Sequence, residues 1–299
     1  MLERVLIPLD SSKNAERVLP FVRFLAGRMG QPAVLVLVTP EPGDLRPVSS
    51  ALDVTLANLA EARRKRAQEY LNDVCARLQT EGLWATAVVA EGPPAATILA
   101  TAKAENAGLI AMATHGRVGP ERWFLGSVAD RVVRSSTVPV LLLRPHEGSA
   151  EVKPALTEII VPLDGSPLAE AALPYATHIA RACDVPIVLL RAQPPVWTAG
   201  EAISPEVLEA LEEEARSYLR DVAERVRADG VTVRAAFSPL HSAVDAIEQL
   251  ARERPGALIV MNTHGRSGLG RTLLGSVTDR VVRSATAPVL VVCSGEEPA

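Results

Sequence analysis

The chain has 299 residues, 48% hydrophobic and 3% aromatic, with a formal net charge of -4. That length suits about two domains of roughly 150 residues, each able to bury a core. Mild acidity and scarce aromatics argue against a nucleic-acid partner, which needs a basic surface or stacking platforms. In chain order, Arg4 to Leu9 reads as a strand and Ala15 to Arg28 as a helix with Asn14 as its cap. Ala33 to Val38 is a β-branched strand, and the proline-containing run Thr39 to Ser50 a loop. Leu52 to Thr80 is a long amphipathic helix. Leu83 to Val89 and Leu109 to Ala113 are strands either side of a helix at Ala95 to Ala104. A glycine-rich loop, a helix from Val128 to Ser135 and a strand from Val138 to Leu143 complete the set.

The second half repeats the first, with strands expected near 158–163, 186–191, 231–237, 257–261 and 287–292. Val5 to Ser12 matches Ile159 to Ser166, and Asp130 to Ser135 recurs letter for letter at Asp279 to Ser284. Between Ala111–Arg144 and Val260–Cys293, roughly 20 of about 34 positions are identical without a gap, far too long a unit for a solenoid. The expected domains are therefore 1–146 and 155–299, joined by a polar linker from Pro145 to Pro154. Cys75, Cys183 and Cys293 show no metal spacing and suit reduced thiols, so the cytoplasm is the expected location. Met1 to Asp10 carries no basic leader, and no apolar run spans a bilayer, so no membrane partner is expected.

Strands alternating with helices imply a parallel sheet with helices on both faces. In such folds ligands sit at the carboxyl ends of strands, where the strand order reverses. With the order 3-2-1-4-5 in each half, Asp10 would share a crevice with the loop at Gly116, and Asp164 with the loop at Gly265. Each loop links a strand to a helix and closes on Leu-Gly-Ser-Val, at Gly126-Ser127-Val128 and Gly275-Ser276-Val277. That arrangement presents backbone N–H groups to an anion, so a phosphate cradle is expected twice. The plainer alternatives are a turn residue at each Asp and a tight turn with a capped helix at each loop. His115 and His264 lack a nucleophile motif and read as loop hydrogen-bonding residues, while Arg122 and Arg271 suit either phosphates or solvent. Neither a G-x-x-x-x-G-K-[ST] loop nor a G-x-G-x-x-G after strand one is present.

At these residues the chain resembles the universal stress protein family, whose nucleotide-binding members carry an Asp after strand one and G-x2-G-x9-G-[ST] after strand four. The match covers Gly116, Gly126 and Ser127 in one half and Gly265, Gly275 and Ser276 in the other, with Ala113 and Asn262 replacing the motif's first glycine. The resemblance implies tandem Rossmann-like α/β domains, each a five-stranded parallel sheet. It implies an adenine nucleotide as ligand, ATP or ADP/AMP, with or without Mg. Asp10 or Asp164 would meet the adenosine, and backbone at Thr39 or Ala192 the adenine. Gly116, Gly126, Ser127 and Val128, or Gly265, Gly275, Ser276 and Val277, would meet the phosphates. The expected function is a cytoplasmic, nucleotide-dependent stress-response switch with at most very slow hydrolysis. A nucleotide-free adaptor of the same fold is the alternative, and which half binds is left open. The apolar fifth strands, Val140–Leu143 and Val289–Val292, are expected to join the halves as an intramolecular pseudo-dimer, with further homo-oligomers open.

Overall fold

In the computed structural model, residues 2–40, 50–114, 125–144, 155–193, 204–239, 241–263 and 274–293 are described, the side chains of 50–57 excepted. The chain divides into two compact units, Met1–Lys153 and Pro154–Ala299. The expected linker at 145–154 lies outside the described residues. The first unit runs β1 (Val5–Leu9), α1 (Lys13–Glu16), α2 (Leu19–Met29), β2 (Ala33–Thr39), α3 (Ser50–Thr80), β3 (Ala85–Glu91), α4 (Pro94–Ala104), β4 (Leu109–Ala113), α5 (Ser127–Ser135) and β5 (Val140–Leu143). The second repeats it as β6 (Glu158–Pro162), α6 (Pro167–Glu170), α7 (Leu173–Cys183), β7 (Ile187–Gln193), α8 (Pro205–Ala228), β8 (Val233–Pro239), α9 (Ala243–Glu253), β9 (Ala257–Asn262), α10 (Ser276–Ser284) and β10 (Val289–Val292).

Within the units the strand orders are β3-β2-β1-β4-β5 and β8-β7-β6-β9-β10, so the expected 3-2-1-4-5 order is present in both. The pairings are parallel. Val34, Leu35 and Val36 of β2 and Ile159, Ile160 and Val161 of β6 are buried at successive positions, as strands covered on both faces require. The long helices turn one face inward: Leu71, Val74 and Leu78 of α3, and Leu219, Val222 and Val226 of α8, are all buried.

The first predicted helix is interrupted. α1 ends at Glu16 and α2 begins at Leu19, because Pro20 lacks an N–H and its ring would clash with the Glu16 carbonyl. Pro174 separates α6 from α7 in the same way. The cap is Ser12, not Asn14: its hydroxyl accepts from the Ala15 N–H, as Ser166 does from Ala169.

A second proline shapes each sheet. Val5 N–H donates to the Pro32 carbonyl, so the odd-numbered residues of β1 address β2 and the even-numbered ones β4. β1 pairs with β2 from Val5 to Leu9, but with β4 only at Val5↔Leu109 and Leu6↔Ile110. Pro8 is the next residue that would donate to β4, and it has no N–H. In the second unit Ile159 and Leu163 donate to Pro186 and Leu190, which leaves Pro162 addressing β9. Pairing of β6 with β9 stops at Ile160↔Ile259. The central strands therefore part at their carboxyl ends, where the strand order reverses.

His178 of α7 has a buried Nε2 with no hydrogen-bond partner among the described residues. Burial lowers its pKa, and neighbouring positive charge, Arg181 included, acts in the same sense. Folding thus favours the neutral imidazole. This stabilisation is complete above the ordinary imidazole pKa of about 6.5 and is lost as pH falls through the lowered folded-state value. The melting temperature is expected to drop between about pH 7.5 and about pH 5, and to drop less in His178→Gln. An unchanged pH slope in that variant would remove His178 from the account.

Candidate functional site

Each crevice is entered by two turns. After β1, Asp10 Oδ1 accepts from the Ser12 N–H at 2.9 Å. After β6, Asp164 Oδ1 accepts from the Ser166 N–H at 2.9 Å and from its hydroxyl at 2.6 Å. The residue following each Asp is left-handed: Ser11 at φ 65 and Gly165 at φ 87. A serine in that region is uncommon, and its short polar side chain limits the cost. Each carboxylate therefore orders its own turn, which is the plainer role anticipated for Asp, and is held at the crevice by doing so.

The second turn comes from the glycine motif. Its ends are tied by Gly126 N–H to the Thr114 carbonyl and Gly275 N–H to the Thr263 carbonyl, both at 2.8 Å. Gly126 and Gly275 cap α5 and α10, so Ser127–Val128 and Ser276–Val277 begin the helices. The first N–H groups of a helix have no intrahelical acceptor and carry the positive end of its dipole. The loop interiors, with Gly116, His115 and Arg122, and Gly265, His264 and Arg271, lie outside the described residues.

Around these turns lie two cavities of about 340 and 280 Å³ in the first and second units. The first gathers Asp10, Val38, Ala113, Gly126, Ser127 and Val128. The second gathers Asp164, Ala192, Asn262, Gly275, Ser276 and Val277. Ile98 of α4 and Ile247 of α9 supply an apolar wall in each. Thr39 is not among the lining residues; its carbonyl accepts from Gly92 N–H at 3.0 Å. Since Pro8 pairs with Val36 and Pro162 with Leu190, Val38 is the counterpart of Ala192, one residue before Thr39. Alignment on the Pro-Leu-Asp of strand one would have found this.

Sequence reasoning missed a cluster behind the Asp turns. Glu16, at the end of α1, accepts from Tyr70 Oη at 3.0 Å and from Arg77 at 2.5 Å. Glu170 accepts from Tyr218 Oη at 2.9 Å and from Arg225 at 2.6 Å. Burial above all, then the glutamate beside it, pushes each tyrosine far above its ordinary pKa, so both phenols remain donors. The cluster fastens the one-turn helix carrying the Asp turn to the long helix α3 or α8. The signal was available: each Glu lies six residues after its Asp, and each Tyr seven before its Arg.

The site offers apolar walls for a flat ring, one carboxylate to accept hydrogen bonds and a helix N-terminus for an anion. Among the described residues no group of three or more His, Cys, Asp or Glu could hold a metal ion. No described helix is long and apolar enough to cross a membrane.

The family model described as universal stress protein family matches residues 1–144 and 156–292. A universal stress protein of Mycolicibacterium smegmatis is 26% identical over 296 residues, covering 96% of each chain. One from Methanocaldococcus jannaschii is 34% identical over 138 residues, 45% of this chain and 81% of that protein. In fold, a universal stress protein of Archaeoglobus fulgidus superposes with a TM-score of 0.75 at 23% identity, covering 99% of this chain and 100% of the other. A putative universal stress protein of Pseudomonas aeruginosa reaches 0.67 at 19% identity, covering 98% and 93%.

If Pro8 and Pro162 end the central ladders, Pro8→Ala and Pro162→Ala each add an amide that β4 or β9 can accept. That amide is expected to exchange slowly with solvent, and each variant to melt no lower than the parent. Fast exchange at the new amide would show that something else parts the strands.

Proposed function

This chain belongs to the universal stress protein family, and from that membership and its two cavities we propose that it binds ATP or another adenine nucleotide as a cytoplasmic stress-response switch with little turnover. One observation carries this reading: in each unit an Asp and a helix N-terminus converge on one crevice at the reversal of strand order. Asp10 and Asp164 accept hydrogen bonds from ribose hydroxyls or the adenine edge. The purine lies against Val38 and Ile98, or Ala192 and Ile247. Backbone N–H groups at Ser127–Val128 and Ser276–Val277 meet the phosphates, joined through the family motif by Gly116 and Gly265. Mg, where present, is held chiefly by the phosphates, since that ion keeps most of its waters and takes few protein ligands. The halves associate through β5 and β10, each of which ends its own unit's strand order and needs cover.

A nucleotide-free adaptor is favoured by one observation, that both Asp side chains already serve their own turns. A carboxylate has about four acceptor positions, so serving a turn leaves capacity for a ligand.

Purified protein is expected to release adenine nucleotide on denaturation, and calorimetry to give micromolar affinity. Asp10→Ala combined with Asp164→Ala should weaken binding by about 1–3 kcal/mol. Unchanged affinity in the double variant would take the carboxylates out of the site, and no binding at all would favour the adaptor. Rapid phosphoryl transfer needs a base or water-orienting group, and the described residues of each cavity offer one carboxylate engaged in its turn. Steady-state hydrolysis is expected below roughly one turnover per second; ordinary enzymatic rates would overturn the switch reading.

A further inference from the structure

The two cavities are built on one backbone but floored differently. Asn262, the last residue of β9, is 4% exposed and lines the second cavity. Its Nδ2 donates to the Leu168 carbonyl in α6 at 2.5 Å, and its Oδ1 accepts from Thr263 Oγ1 at 3.0 Å. Its own carbonyl accepts from Thr278 Oγ1 in α10 at 2.8 Å. One residue thus ties together β9, the single turn that follows Asp164, and the helix that follows the glycine motif. The tie crosses the gap left where β6 and β9 part beyond Ile160 and Ile259. In the first unit the same positions hold Ala113 and Ala129, whose side chains have no polar atom. There the Asp10 turn and the start of the glycine motif lack this link.

We propose that Asn262 is a latch that pre-organises the second cavity, so that the two halves bind the same class of ligand with unequal affinity, the second more tightly. The inference rests on the nucleotide reading above for its ligand, but not for the latch. Bulk at the motif's first glycine position is the obvious objection. The side-chain amide answers it by turning to α6 and Thr263, leaving Gly275, Ser276 and Val277 lining an open cavity of about 280 Å³. A ligand entering a site whose walls are already fixed orders fewer groups, and the saving appears as affinity. Thr278 belongs to the same device, and Asn262 acts as a positioning residue.

The test uses the full chain. Asp10→Ala weakens the first site, so that the second dominates a titration with ATP fitted to two sites, and Asp164→Ala does the reverse. The second is expected to bind several-fold more tightly. Asn262→Ala in the Asp10→Ala background should weaken it about fivefold, the effect of one hydrogen bond no longer holding the ligand-free site in its bound form. Thr278→Ala should act in the same direction, and Asn262→Gln, too long for both partners, should not rescue. Equal or tighter binding in Asn262→Ala would mean that the amide obstructs the site, and would overturn the proposal. Amide exchange without nucleotide tests the latch alone. Segments 163–170 and 274–280 should exchange more slowly than 9–16 and 125–131, and Asn262→Ala should abolish the difference. Matching exchange in parent and variant would also overturn it. Should neither background bind ATP while the exchange difference holds, the latch stands and the nucleotide reading fails.

Discussion

A central strand of a parallel sheet normally donates alternate amides to its two neighbours along its whole length. Here β1 and β6 each place a proline where the donation to β4 or β9 should continue. One missing N–H costs little at the carboxyl end of a strand, because the partner carbonyl can turn to water. Its geometric consequence is that the ladder between the two middle strands ends before the edge where the crossovers change direction. Both cavities lie at that end of the ladder, and Pro8 and Pro162 line them.

What enters the gap is held by short-range hydrogen bonds, not by bulk packing. Each Asp is fixed by the turn it makes, and each one-turn helix by a serine cap in front and a Glu–Tyr–Arg cluster behind. A helix of four residues has no stability of its own, since nucleation costs more than one turn of bonds returns. Its place is therefore set from outside, by Glu16 or Glu170 anchored to the long helix and, in the second unit, by the Asn262 amide as well. Surface ion pairs are usually worth under about 1 kcal/mol, and Arg77 and Arg225 are half exposed. The tyrosine hydroxyls, half-buried and accepted by a carboxylate, contribute the larger share.

Repetition preserved this backbone and let the floor diverge. Cap, turn, cluster and the Gly–Thr tie recur with matching partners in both units. Where the first unit has Ala113 and Ala129 the second has Asn262 and Thr278, which exchanges an apolar floor for a hydrogen-bonded one. A buried asparagine left without partners would cost about 1–3 kcal/mol. Here its side chain is satisfied by the Leu168 carbonyl and Thr263 Oγ1, and Thr278 adds a bond to its backbone carbonyl.

Sequence alone determined the repeat and the alternation of strand and helix, because each is written in local pattern: apolar runs, periodicity and turn chemistry. The strand order came from the resemblance, and Asp10, Asp164, Gly126 and Gly275 were legible as turn and cap residues. The sequence also carried the prolines that break the helices and end the ladders, but only as letters. Whether Pro8 interrupts a ladder depends on which neighbour its missing N–H would address, and that parity is set by pairing with β2 and β4, far away in the chain. The same holds for Val38 in place of Thr39, where strand register decides, and for Glu16 with Tyr70, 54 residues apart. Asn262 is the clearest case. By its letter it was a departure from a glycine motif, and only its distance to the Leu168 carbonyl, 94 residues earlier, made it a tie across the crevice. Contacts between residues so far apart in the chain exist only once the sheet has placed them side by side, so tertiary structure alone could decide them.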